Sequence, residues 1–198
     1  MSDKKRLFIG VKVCFEEKTE EFYSSIPDIL HDAEIKWVGT ENLHLTLKFL
    51  GDVEISAIDS IKSKMDMMSK KHNCIRAILK GVGVFKDFYH PKVLWIGLRN
   101  CPEFEGLKND IENSVGDLGF EIDYRKFTPH LTIGRFKNPG NMHELKSFVS
   151  SNQETYFQQS EVSEIVLFES ILKPEGPHYN ILHKSKLGAE ESFSEFRF

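Results

Sequence analysis

The chain has 198 residues, 40% of them apolar and 28% charged. That is enough for one domain with a proper core, or two small lobes sharing one, and it excludes a disordered chain. The net charge of −4 excludes a protein that coats nucleic acid with a broad basic surface, but not one that grips a single phosphate in a cleft.

The opening "MSDKKRLFIGVKVCF" carries a basic patch. Its apolar run contains Lys12, is too short to span a membrane and is followed by no small-residue cleavage site. Residues 6–13 are therefore expected to form a strand. Residues 16–32 predict a helix with an acidic start. Phe22, Ile26, Ile29 and Leu30 lie roughly on one face, and Pro27 interrupts it. Residues 35–39 and 43–51 predict strands. Residues 56–72 predict an amphipathic helix with Ile58, Ile61, Met65 and Met68 as core filler. Strands follow at 75–85 and 92–98, joined through "KDFYHP". A helix over 102–119 ends near Gly119, and "FTPHLTIGRF" (127–136) is a strand entered at Pro129. A short helix over 141–152 precedes strands at 163–172 and 178–187, which flank a turn at "KPEGP". The tail "GAEESFSEFRF" fits no pattern. The mixture predicts an α+β fold with antiparallel sheets flanked by helices, as one bilobal unit over 1–198. Cys14, Cys74 and Cys101 are odd in number, far apart and lack a C-x-x-C spacing. That points to a reducing, cytoplasmic compartment rather than disulfides or a zinc site.

Two strands repeat a pattern, "HLTL" at 44–47 and "HLTI" at 130–133. Alternate side chains of a strand share a face. Leu43, Leu45, Leu47 and Phe49 are assigned to the core, and His44, Thr46 and Lys48 to the other face. In the second strand Leu131 and Ile133 go inward, with His130 and Thr132 opposite. One His-x-Thr strand alone is most often a surface pair. Two, about one per half of the chain, suggest a pseudo-duplicated structure with facing halves. Two imidazoles across a cleft supply a base and an acid to one reaction. Two hydroxyls hydrogen-bond the non-bridging oxygens of an anion between them. The natural tenant is a phosphodiester, and no metal or other cofactor is required.

The paired motifs resemble the HxTx signatures of the 2H phosphoesterases. "RLFIGV", "ENLHLTLKFLGD", "VLWIGL", "FTPHLTIGRF", "LFESIL" and "GPHYNIL" extend the resemblance over about residues 6–187, to the LigT-like RNA 2′,3′-cyclic phosphodiesterases, historically called 2′-5′ RNA ligases. The resemblance implies a bilobal fold with both motif strands lining a central cleft. It implies hydrolysis of a 2′,3′-cyclic phosphate at an RNA end to a 2′-phosphate, with RNA ends or nucleotide 2′,3′-cyclic phosphates as partners. His44 is then the proton donor, His130 the proton acceptor, and Thr46 and Thr132 hold the phosphate. A 2′-5′ RNA ligase or phosphodiesterase of the same family and a non-catalytic RNA-end binding module remain as alternatives.

Lys48 shares the parity of His44, so it either adds positive potential near a phosphate or ends the strand in solvent. A regular strand turns Arg135 away from the cleft; a bulge or twist near Gly134 would turn it back and make it a substrate-binding residue. Phe49 and Phe127 fit core packing, and Tyr179 or another aromatic is a candidate for stacking a base. His31, His72, His90, His143, His178 and His183 show no metal spacing and are assigned to surface or structural roles. Arg125, Lys126 and Lys137 are candidates for extending an RNA track. The protein is expected to be a monomer without a membrane partner.

Overall fold

The computed structural model describes residues 3–99, 101–173 and 176–188. Among the described residues, nine strands and four helices follow one another as β1 (Lys4–Lys12), α1 (Glu17–Ile29), β2 (Glu34–Trp37), β3 (His44–Glu54), α2 (Ile58–Ser69), β4 (Ile75–Phe85), β5 (Val93–Arg99), α3 (Glu103–Gly116), β6 (His130–Asn138), α4 (Met142–Asn152), β7 (Tyr156–Val162), β8 (Glu164–Lys173) and β9 (Gly176–Lys186). Short 3-10 turns at Thr40–Asn42 and Ile55–Ala57 lead into β3 and α2. The strands form two sheets, of order β3-β1-β8-β9 and β2-β6-β5-β4-β7, and every neighbouring pair is antiparallel. Among the described residues, no helix is long and apolar enough to cross a membrane.

The sheets do not follow the two halves of the chain. β2 crosses from the first half into the second motif's sheet, while β8 and β9 come from the far end to complete the first motif's sheet. The reason lies in β1. Its run from Leu7 to Val11 is apolar on both faces, so it needs a strand on each side and cover above and below. Leu7, Ile9 and Val11 enter one continuous core that also holds Leu94, Ile96, Leu131 and Ile133 of the other sheet. Phe8 points the opposite way and packs with Val166, Phe168 and Tyr179.

α2 packs on β8, β9 and α3, while α3 reaches β3. α1 is shorter than the expected helix and buries Tyr23 and Ile26, with Leu30 at its cap. Ile29, expected on that face, is instead exposed, because Tyr23 takes its place in the buried stripe. β7 was not foreseen: "YFQQSEV" is too polar to show an apolar alternation, and pairing with β4 forms it. The turn at "KPEGP" lies partly, and the tail beyond Gly188 wholly, outside the described residues.

Candidate active site

β3 runs along the edge of one sheet and β6 within the other, and they meet. His44 and His130 are each the first residue of their strand. Each ring is fixed in the same way. His44 Nδ1 lies 2.6 Å from the Asn42 carbonyl oxygen, and His130 Nδ1 lies 2.7 Å from that of Thr128. A carbonyl oxygen only accepts, so both Nδ1 atoms carry a proton and Nε2 is left to do chemistry. Among the described residues, neither Nε2 has a protein hydrogen-bond partner. Rings hold the imidazoles from the side. Phe8 lies 4.8 Å and Tyr179 5.0 Å from His44, and Phe85 stands edge-on to His130 at 4.6 Å.

Burial lowers the pKa of both histidines, and the Nδ1 hydrogen bonds oppose it. The Arg135 charge lowers both further, and His130 lowers His44 in addition. The two rings titrate as a coupled pair.

Two recesses flank the motifs. A cavity of about 230 Å³ is lined by His44 and Thr132, with Lys36, Trp37, Arg135 and Tyr179 around it. An open groove of about 1020 Å³ is lined by Thr46 and His130. Each recess thus takes one histidine and one threonine, from different strands, and the four side chains form the divide between them. Cations outnumber carboxylates around both recesses, although the chain as a whole is acidic. The excess is three to one around the cavity and only four to three around the groove, so the cavity is the recess that focuses potential onto an anion.

Arg135 is in the cleft because β6 is irregular. Thr132 pairs with Trp95 and Gly134 with Leu94, so Ile133 is left over as a bulge and Arg135 returns to the face of His130 and Thr132. The bulge is held: the Ile133 carbonyl accepts the Val38 N–H at 3.0 Å and stands 3.4 Å from the Tyr23 hydroxyl.

β3 has two such irregularities, at Leu47 and Leu50, and they overturn two expectations. Lys48 turns to the core side, 5% exposed, and Phe49 turns out, 67% exposed. Lys48 Nζ lies 2.5 Å from Glu112 Oε2 and also donates to the Glu121 carbonyl. Lys108 Nζ meets the other Glu112 oxygen at 3.1 Å and the Asp123 carbonyl at 2.9 Å. The Asp123 N–H donates back to Glu112. The Lys48 charge is thus used to fasten residues 121–123 to β3 and α3, beneath the groove floor.

The suggested RNA track is only partly present. Lys126 and Arg125 line the groove, but Arg125 is forked onto Asp123, whose carboxyl it holds well below the usual range. Lys137 pairs with Glu34 at 2.7 Å. Phe127 is half-buried against the core, as packing required. Of the six remaining histidines, His178 lines the cavity, which its spacing did not reveal. His72 and His183 pair with Asp110 and Asp66, each at 2.8 Å. Trp37, Lys36 and Phe8 were missed. Only Phe8 left a signal, the absence of alternation in β1. Among the described residues, no group of three or more His, Cys, Asp or Glu side chains converges as a metal site.

The family model described as LigT-like phosphoesterase matches residues 9–95 and 97–179. The chain belongs to that family. This LigT-like phosphoesterase is 32% identical to the RNA 2′,3′-cyclic phosphodiesterase of Methanothermobacter thermautotrophicus, over 93% of this chain and 100% of the relative. It is 33% identical to the protein of that name in Methanocaldococcus jannaschii, over 89% and 98% of the two chains. Among solved structures, TT0787 of Thermus thermophilus superposes with a TM-score of 0.74 at 25% identity, covering 93% of this chain and 99% of its own.

Proposed function

We propose that this LigT-like phosphoesterase hydrolyses a terminal RNA 2′,3′-cyclic phosphate to a 2′-phosphomonoester, by acid–base catalysis from two histidines. The observation that carries this is the pair of Nδ1-anchored imidazoles on β3 and β6, set with their threonines on the divide between two recesses in which cations outnumber carboxylates. The names of the two relatives, RNA 2′,3′-cyclic phosphodiesterase in both cases, support the substrate class.

In the reaction, His130 Nε2 takes a proton from water as the water oxygen attacks phosphorus. The bond from phosphorus to the 3′ oxygen breaks, and His44 Nε2 protonates that oxygen. Thr46, Thr132 and Arg135 stabilise the added charge on the non-bridging oxygens. The products are a 2′-phosphate and a 3′-hydroxyl, with the proton moved from His44 to His130. The role of each histidine follows the family assignment. The anion bound at the divide stabilises an imidazolium on the leaving-group side. A ribose 5′-hydroxyl in place of water would use the same groups for a 2′-5′ linkage.

The test is a short RNA ending in a 2′,3′-cyclic phosphate, incubated with chelator, its products resolved into 2′- and 3′-phosphates. The expected product is the 2′-phosphate, lost by roughly 10²- to 10⁴-fold in His44→Ala and in His130→Ala. Replacing the leaving 3′ oxygen by sulfur removes the need for an acid, so it should rescue His44→Ala and not His130→Ala. Rescue of His130→Ala alone would exchange the roles. Full activity in either variant would remove the mechanism. The free thiols of Cys14, Cys74 and Cys101 support a reducing, cytoplasmic setting, and the site is complete within one chain, which supports a monomer.

A further inference from the structure

The in-line reaction proposed above gives each recess a side of the phosphate. Water arrives from the His130 side, which is the groove. The 3′ oxygen leaves toward His44, so the ribose that carries it lies in the cavity. A volume of about 230 Å³ suits one nucleoside.

The cavity wall carries more positive charge than one phosphate uses. Arg135 acts on both histidines, so it faces the reacting phosphate. Lys36 is its direct partner in the β2–β6 register, and both line the cavity. Like charges directly opposite each other on a ladder are destabilising. Lys173, the last residue of β8, brings a third cation from the other sheet. Among the described residues, none of these three side chains has a hydrogen-bond or ion-pair partner. The same two strands do pair charge nearby: Lys137 meets Glu34 at 2.7 Å. Glu41 is the one carboxylate of the lining. It accepts from the Asn42 side-chain amide at 3.0 Å and folds over Gly39, without pairing any of the three cations. His178, on β9, lines the same wall and adds charge only when protonated.

We propose that Lys36 and Lys173 form a second anion subsite, which takes the phosphate on the 5′ side of the terminal ribose. It rests on the proposed reaction, which puts that ribose in the cavity. β2 is the edge strand, one strand spacing of about 4.8 Å beyond β6. Lys36 is therefore the next cation outward from Arg135, as the 5′ phosphate is the next anion along the chain. An ammonium is a point charge and reads no base. The subsite thus separates the end of an RNA from a free nucleoside 2′,3′-cyclic phosphate by charge, whatever the terminal base.

The test compares kcat/KM for adenosine 2′,3′-cyclic phosphate with that for two dinucleotides ending in the same group. One dinucleotide has the natural linkage and the other an uncharged methylphosphonate. The natural linkage should raise kcat/KM about tenfold or more over the nucleoside, the size of one hydrogen bond to a charged group. The methylphosphonate should lose most of that gain. Lys36→Gln and Lys173→Gln should each remove part of it, and Lys36→Arg should keep it. Lys137→Gln removes a cation of the same ladder outside the cavity and should keep the whole gain. Every variant is read as the ratio between its own substrates, so a general loss of activity cancels. Equal values for the two linkages, or a gain that survives both glutamine variants, would overturn the subsite. Calorimetric titration with the matching 2′-phosphate products repeats the comparison without turnover. Hydrolysis without a charge-dependent gain removes the subsite and leaves the reaction; a charge-dependent gain in product affinity without hydrolysis does the opposite.

Discussion

Each imidazole gives its Nδ1 proton to a carbonyl two residues back, His44 to Asn42 and His130 to Thr128. The rings therefore cannot change tautomer without losing a bond, and the reacting nitrogen is the same on both. Burial and Arg135 hold both pKa values below the ordinary 6.5. The free-enzyme profile of kcat/KM needs one ring neutral and one protonated, so it should be a bell with both limbs below 6.5. Arg135→Gln removes a charge that lowers both groups, so both limbs should move to higher pH while KM rises. In kcat the limbs should also lie higher, because the bound phosphate favours the imidazolium. A kcat/KM bell centred above 7 would contradict the burial. Lys48 and Phe49 give a stability test. Lys48→Ala leaves Glu112 to Lys108 alone and takes the donor from the Glu121 carbonyl, and should cost about 2 kcal/mol, while Phe49→Ala should cost under about 1 kcal/mol in urea unfolding.

At the scale of the element, the site depends on where strands stop being regular. Strict alternation is legible in the sequence from Leu43 to Leu47 and from His130 to Thr132, and there the expected faces hold. It fails at Lys48, Phe49 and Arg135, since a one-residue bulge leaves no mark in a run of apolar residues. The flanking contacts that hold a bulge come from far along the chain. Tyr23, on α1, donates to the Val38 carbonyl at 2.5 Å and stands beside the Ile133 carbonyl. Burial pushes its hydroxyl up to about 12, so it stays a donor at any working pH. Tyr23→Phe should cost about 1 kcal/mol. By loosening the β6 bulge it should also raise KM more than it lowers kcat, the signature of a displaced Arg135. Equal loss in both parameters would place the effect elsewhere.

Across the whole molecule, a chain of net charge −4 keeps both recesses positive. Binding should weaken with salt, but with the shallow slope of a few phosphate contacts; a slope as steep as that of an extended DNA-binding protein would mean that the surface has been misread. The antiparallel α+β architecture was legible in the order of the elements. The way the chain is shared between the sheets was not, because nothing local in β2 or β8 states which sheet it joins.

That sharing governs the order in which the protein is made. β1 and β3 emerge first, yet β8, the strand that pairs with the other edge of β1, begins only at Glu164. Until then β1 has an open edge, and Phe8 lacks Phe168 and Tyr179 against which to pack. A nascent chain that has passed residue 138 already carries both histidines and still has no floor beneath the first. Closing a sheet across more than a hundred residues is slow. The ribosome therefore releases catalytic competence late and all at once, and a chain interrupted before β8 should be an unfolded polypeptide with an aggregation-prone strand, not a weaker enzyme.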